Sequence, residues 1–149
     1  MQLEKEIVQS KFKNAWQKAV VNIIFTSSWL NSQHSAMLKE FGLSLQQFNI
    51  LRILRGQHPN PATVRLLTER MLDKMSNASR LVEKLRQKGL VDRDICPSDR
   101  RQVHVRITAK GLDLLRRIDA KMDIVEQNFK SITESEAAEL NRILDKLRG

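Results

Sequence analysis

Apolar residues recur along this chain with two different periods, and the change of period marks its organisation. From Leu3 to about Leu30 the spacing is helical. Phe12, Trp16, Ala19, Val20, Ile23 and Ser27 follow one face, and Val21, Phe25 and Trp29 add a second. A short helix is predicted over 35–41, stopped by Gly42. Ser44 and Gln47 form an S-x-x-Q capping box that opens the next helix, with Phe48, Leu51 and Leu54 inward and Gly56 closing it. Asn60-Pro61 reads as a cap and first-turn proline for a helix through Val64, Leu67 and Met71. Asp73 can cap a further helix ending at Gly89, with Met75, Ala78, Leu81, Val82 and Leu85 inward and polar or basic residues outward. Two helices joined by a short turn, the second with a basic polar face, make a helix-turn-helix candidate.

After Gly89 the period drops to two. Val103, Val105 and Ile107 alternate with Gln102, His104 and Arg106, and residues 90–96 are the natural antiparallel partner across Pro97-Ser98-Asp99-Arg100. A hairpin with arginines at its tip is a wing. Thr108 can cap the long helix that follows, where Leu115, Ile118, Met122, Val125, Phe129 and Ile132 step by 3, 4, 3, 4, 3 as a heptad seam. Thr133 and Glu136 form a second capping box, with Ala137, Leu140, Leu144 and Leu147 in register behind it. Stripes this long at both ends of a small chain suit a partner subunit; ordinary packing within the chain is the alternative.

Composition fits this picture. The 149 residues are 41% hydrophobic, with 5 Gly and 3 Pro, which favours long helices over a many-turned β fold. The net charge of +9 is uneven: residues 65–117 carry 14 Lys/Arg against 7 Asp/Glu, whereas residues 118–149 carry 5 against 7. A positive excess in mid-chain suits a polyanionic partner, although a solvated basic face would look the same. Cys96 is the single cysteine, which excludes an intrachain disulfide framework. The uncharged stretch 19–38 holds too many Asn, Ser, Thr and Gln residues for a bilayer core, and no signal peptide is evident, so a cytoplasmic protein is expected.

The run S-N-A-S-R-L-V-E-K-L-R-Q-K-G-L-V from Ser76, then D-R-R at Asp99, then T-A-K-G closing at Gly111, resembles the MarR family of transcriptional regulators. The flanking helices match in order and length, so the resemblance covers roughly residues 7–147. It implies a mainly α fold with a small β-hairpin wing, in a single 1–149 unit. Residues 44–108 would form the winged helix-turn-helix DNA-binding lobe, and residues 1–34 and 109–149 the dimerisation helices of a homodimer. The helix from Lys74 to Lys88 would enter the major groove of double-stranded DNA at a pseudo-palindromic operator, with Ser76, Asn77, Ser79 and Arg80 at its exposed start and Lys84 toward the backbone. Arg80 can pair with guanine in two-point fashion. In the wing the resemblance implies that Asp99 orients Arg101, which reaches into a minor groove, while Arg100 meets a phosphate. The alternatives are capping or solvation for Asn77 and Ser79, and bracing of the wing for Asp99 and Arg101. Lys84, Arg93 and Arg106 are equally suited to backbone contacts or to a solvated surface.

Many family members take a small aromatic or phenolic effector in a crevice between the dimer helices and the DNA-binding lobe. Trp16, Phe25, Trp29 and His34 lie on segments that would line it, though such residues also serve as core. His34, His58 and His104 lack ligand spacing, so no metal and no cofactor are expected. Arg93 and Arg100 near Cys96 could favour a thiolate, but the family's peroxide sensors carry their cysteine in the first helix beside tyrosines, and this chain has no tyrosine. No phosphate loop, nucleophile elbow or framed carboxylate pair supports an enzyme. The expected function is a DNA-binding regulator, usually a repressor in this family. Its rivals are an effector-independent architectural DNA-binding protein and a winged helix used for protein interaction.

Overall fold

The computed structural model describes the backbone of residues 1–149 and all side chains except those of Ile124, Val125, Asn128 and Phe129. The N-terminal helical pattern resolves into two helices, α1 (Leu3–Glu6) and α2 (Ala15–Lys39). The predicted single helix is broken because Val8 adopts φ +53 and Asn14 starts afresh, its side chain accepting the Gln17 backbone N–H at 2.9 Å. No glycine or proline lies between Leu30 and Ser35, so α2 runs on through the helix expected at 35–41. It ends before Gly42, whose φ of +69 lets the Leu43 N–H return to the Leu38 carbonyl at 3.2 Å.

Ser44 and Gln47 form the reciprocal capping box of α3 (Leu45–Gln57), which passes through Gly56 instead of stopping there. The helix expected at Asn60-Pro61 starts later. Ala62–Thr63 forms a short strand β1, and Thr63 caps α4 (Val64–Arg70) by accepting the Leu66 N–H at 3.1 Å. The next helix, α5 (Ala78–Gln87), also starts later than expected. Its cap is Asn77, accepting the Arg80 N–H at 3.1 Å, whereas Asp73 accepts from Met75 and closes a turn before the helix. Lys74, Met75 and Ser76 therefore precede the helix, and Met75, expected inward, is 92% exposed.

Strands β2 (Val91–Ile95) and β3 (Val103–Ile107) form the expected hairpin, with Val91 opposite Ile107 and Ile95 opposite Val103. Strand β1 adds to the other side of β3, pairing Ala62 with Val105, so the sheet has three antiparallel strands in the order β1-β3-β2. Helix α6 (Ala109–Gln127) follows, then a 3-10 turn (Asn128–Ser131) and α7 (Glu134–Arg148), opened by the Thr133–Glu136 capping box.

The core lies between α3, α4, α5, the sheet and the start of α6, where Ile50, Leu51, Leu67, Val82, Leu85, Val105, Leu115 and Ile118 are almost fully buried. The heptad seam therefore divides. Leu115 and Ile118 belong to this core and Met122 packs against it, Val125 and Phe129 lie outside the described side chains, and Ile132 is exposed. Arg55 on α3 clamps α6 through both oxygens of Asp119, at 2.6 and 3.3 Å. Outside this body, α2 buries only Met37 and Leu38, and α7 buries no residue.

One junction ties α5, the hairpin and α6 together. Gly89, at φ +73, ends α5, and Thr108 Oγ1 donates to its carbonyl at 2.7 Å while accepting the Gly111 N–H at 3.1 Å. Lys110 Nζ donates to the Lys88 carbonyl at 2.9 Å. Gly111 packs so closely that a Cβ would overlap the Leu90 carbonyl oxygen and lie 2.7 Å from Ile107 Cγ1. The two motifs K-G-L-V and T-A-K-G are thus the two halves of one joint. Gly111→Ala is expected to destabilise the fold by about 1–3 kcal/mol through forced overpacking. Gly56→Ala, which meets open space inside α3, is expected to add roughly 0.5–1 kcal/mol. Denaturant unfolding at matched protein concentration measures both, and equal effects would contradict the close approach at Gly111.

Candidate nucleic-acid interface and crevice

Helix α5 is sharply two-sided. Ala78, Val82 and Leu85 are buried, and Ser79, Arg80 and Lys84 face outward. Asn77 is occupied as the cap, so its oxygen serves the backbone while its amide group stays exposed. Ser76 is half-buried in the preceding turn, and Lys74 Nζ turns to the Glu69 carbonyl at 2.5 Å. The hairpin stands against this helix: Arg93 on β2 reaches Glu83 on α5 at 3.4 Å. Hydrogen bonds from Arg86, with the charges of Arg86 and Arg93, hold the Glu83 carboxyl down at about 2. This anchor is ionised at neutral pH and would be lost only as pH falls from about 4.5 toward 2.

At the wing tip Asp99 does brace its neighbour, but through the main chain. Asp99 Oδ1 accepts the Arg101 backbone N–H at 3.0 Å, and the Asp99 carbonyl accepts the Gln102 N–H at 3.0 Å. The expected pairing of Asp99 with the Arg101 guanidinium is not formed, which leaves that group in solvent. Arg106 lies 3.7 Å from Asp94 across the hairpin. Cys96 is buried at the base of the turn. The Ser98 hydroxyl, 3.1 Å from its sulfur, together with the Ser98 and Asp99 amides, holds the thiol below its ordinary pKa. Neither Arg93 nor Arg100 contributes to that shift.

Pairing separates the cations that brace the fold from those left available. The chain has fourteen arginines. Among the described residues, nine form ion pairs: Arg55, Arg65, Arg86, Arg93, Arg106, Arg116, Arg117, Arg142 and Arg148. The other five are Arg52, Arg70, Arg80, Arg100 and Arg101. Arg80 and the two wing arginines are among the sequence candidates. Arg70, in the last turn of α4, and Arg52, stacked 5.7 Å from the Phe48 ring centre, were missed, because only tertiary structure shows which arginines lack a carboxylate.

Arg52 lines a cavity of about 340 Å³ between α2, α3 and the turn after α4. Leu45, Phe48, Leu72 and Met122 form its apolar wall, and Asn31, His34, Gln46, Asn49 and Asp73 supply polar groups. Of the four residues expected in the crevice, His34 lines this cavity. Phe25 and Trp29 instead line a second cavity against Met1, Leu3 and Glu6, and Trp16 is 79% exposed on α2. The cavity wall also holds the turn leading into α5. Asn49 Oδ1 accepts the Leu72 N–H at 2.9 Å, and Gln46 Nε2 lies 3.5 Å from Asp73 Oδ2. Among the described residues no His, Cys, Asp or Glu cluster could hold a metal, and no helix is long and apolar enough to cross a membrane.

The MarR family model matches residues 41–102, from the end of α2 to the tip of the hairpin. The chain is 28% identical to the transcriptional repressor IacR of Pseudomonas putida over 110 residues, a match spanning 73% of this chain and 65% of IacR. A solved MarR transcription factor from Planctomyces limnophilus superposes with a TM-score of 0.68 at 29% identity, covering 91% of this chain and 98% of that one. The organohalide-sensing regulator RdhR, in its 2,4-dichlorophenol-bound form, shares the fold with a TM-score of 0.80 at 23% identity, over 94% of this chain and 85% of its own.

The main-chain role of Asp99 has a direct test. Asp99→Ala should speed amide exchange at Arg101, whereas Asp99→Asn, which keeps an acceptor oxygen, should leave it close to the parent rate. Equal acceleration in both variants would mean that the carboxylate charge, not the turn hydrogen bond, holds the wing tip.

Proposed function

We propose that this chain, similar to MarR-family regulators in sequence and fold, is a cytoplasmic, homodimeric repressor that binds a pseudo-palindromic DNA operator and answers to a small aromatic effector. The observation that carries the DNA-binding reading is the placement of the unpaired arginines. Four of the five sit on the helix-turn-helix or its wing: Arg70, Arg80, Arg100 and Arg101. Leaving guanidinium groups without carboxylates suits a surface that exchanges counterions for phosphates. Helix α5, with Arg80 in its first turn, is suited to the major groove, and the wing arginines to the flanking groove. Residues 44–108 would form the DNA-binding lobe in this reading.

The homodimer reading rests on the uneven burial. Helices α2 and α7 leave Trp16, Val20, Ile24, Leu140, Ile143 and Leu147 exposed at 49–79%, more apolar surface than a solvated pair of helices needs. A two-fold axis would cover the same stripes on both subunits and set the half-site spacing. The terminal segments 1–34 and 109–149 would supply that contact, except where Leu115 and Ile118 already serve the core.

The effector reading rests on the Arg52 crevice. An apolar slot with one cation stacked on an aromatic ring suits a planar aromatic anion, and the 2,4-dichlorophenol of RdhR is a ligand of related chemistry. Such a ligand would compete for Gln46, Asn49 and Asp73, the groups that hold the turn before α5. That gives it differential contact with the DNA-binding arrangement.

Selection of bound duplexes by the full chain, with sedimentation of the free protein, tests the first part. A dimer and a two-fold-related motif are expected. Arg80→Ala should relax base preference at a cost of about 1–3 kcal/mol, whereas Arg70→Ala should weaken all sequences evenly and lower the salt slope by about one per contact. A monomer, or an unchanged motif in Arg80→Ala, would contradict the reading. For the crevice, a panel of aromatic acids and phenols should contain a compound that weakens operator binding in the parent and not in Arg52→Ala. Affinity unchanged by every compound would favour an effector-independent architectural protein.

A further inference from the structure

Met75 is the residue whose placement the DNA-binding surface does not yet explain. It is an apolar side chain 92% exposed, two residues before the Asn77 cap of α5. Its backbone is fixed, since Asp73 accepts the Met75 N–H at 3.0 Å through Oδ1 and the Ser76 N–H at 3.2 Å through its carbonyl. Gln46 steadies the same carboxylate from α3. The turn therefore holds Met75 outward at the end of the helix where Ser79 and Arg80 are also exposed. None of the described cavities includes its side chain.

From this geometry we infer that Met75 reads a thymine C5-methyl group in each half-site of the operator. The inference rests on the DNA-binding reading above. A recognition helix meets base edges with its N-terminal residues, so a side chain held just outside the first turn falls within the same groove. The thymine methyl is the apolar group that unmodified DNA presents there, and it is matched by hydrophobic side chains. An unbranched thioether adapts to such a contact with little steric demand. Arg80 and Met75 would thus divide the reading between a hydrogen-bonded guanine and a methyl-bearing thymine nearby.

The test removes the methyl group from the DNA and the side chain from the protein. Thymines in the duplex selected by the full chain are replaced singly by deoxyuridine, and dissociation constants are measured for the parent, Met75→Ala and Met75→Leu at fixed salt. In the parent, one thymine in each half-site should lose about threefold to fivefold in affinity when its methyl is removed, the worth of one buried methyl group. Met75→Leu should keep most of that sensitivity, and Met75→Ala should lose it at that position alone. Because Met75 is exposed, unfolding midpoints and sedimentation of both variants should match the parent. A methyl penalty of equal size in the parent and in Met75→Ala, or no thymine sensitive to uridine in the parent, overturns the inference and leaves the regulator reading intact. A parent protein that selects no duplex refutes the regulator reading itself, and the inference falls with it.

Discussion

The structure depends on how closely the first turn of α6 approaches the end of α5. Gly111 lies against the Leu90 carbonyl with no room for a side chain, and this brings Thr108 and Lys110 within reach of the carbonyls of Gly89 and Lys88. Those carbonyls end a helix and need partners from elsewhere. The same Lys88 reaches back with its amine to the Gly42 carbonyl and, at 3.3 Å, to Gln47, so the junction extends to the turn between α2 and α3. Four elements thus meet at one point: the end of α5, the start of the hairpin, the start of α6 and the entry to α3. The junction anchors the end of α5 and the base of the hairpin to the same point.

From this body outward, two kinds of surface are left incomplete, and they differ in chemistry. Around α4, α5 and the wing tip the incompleteness is electrostatic, since Arg70, Arg80, Arg100 and Arg101 lack carboxylates while nine other arginines have them. Along α2 and α7 it is apolar, with large side chains in solvent and few or none buried. In the proposed function a duplex would answer the first and a second copy the second. The Arg52 crevice lies between the two regions, lined by α2 on one side and by the turn into α5 on the other. A ligand there would touch both α2 and the turn that leads into α5.

The sequence was most legible where structure is decided locally. The capping boxes at Ser44 and Thr133 and the helix ends at Gly42 and Gly89 follow from backbone hydrogen-bonding needs within a few residues, and the hairpin follows from its two-residue period. It was least legible where a choice depended on distant contacts. Ala62–Thr63 is too short to show a period and becomes a strand only because β3 lies beside it. Asp73 and Asn77 are both good caps, and the buried Ala78 favours the later start, which turns Met75 outward. A heptad seam states that a stripe is buried but not by what, so Leu115 and Ile118 went to the lobe core. Arg52 and Arg70 could not be told from paired arginines without knowing where the carboxylates are.

The junction at Gly89–Leu90 and Thr108–Gly111 makes α5, the base of the hairpin and α6 one mechanical body. Native-state hydrogen exchange of the full chain tests it most directly, because it resolves which segments open together. The amides of Leu81 to Leu90 and of Val105 to Leu115 are expected to exchange with one common free energy and one common denaturant dependence, close to those of global unfolding. Exchange of the α5 amides through a separate, lower-energy opening, while the first turns of α6 stay protected, would contradict the account.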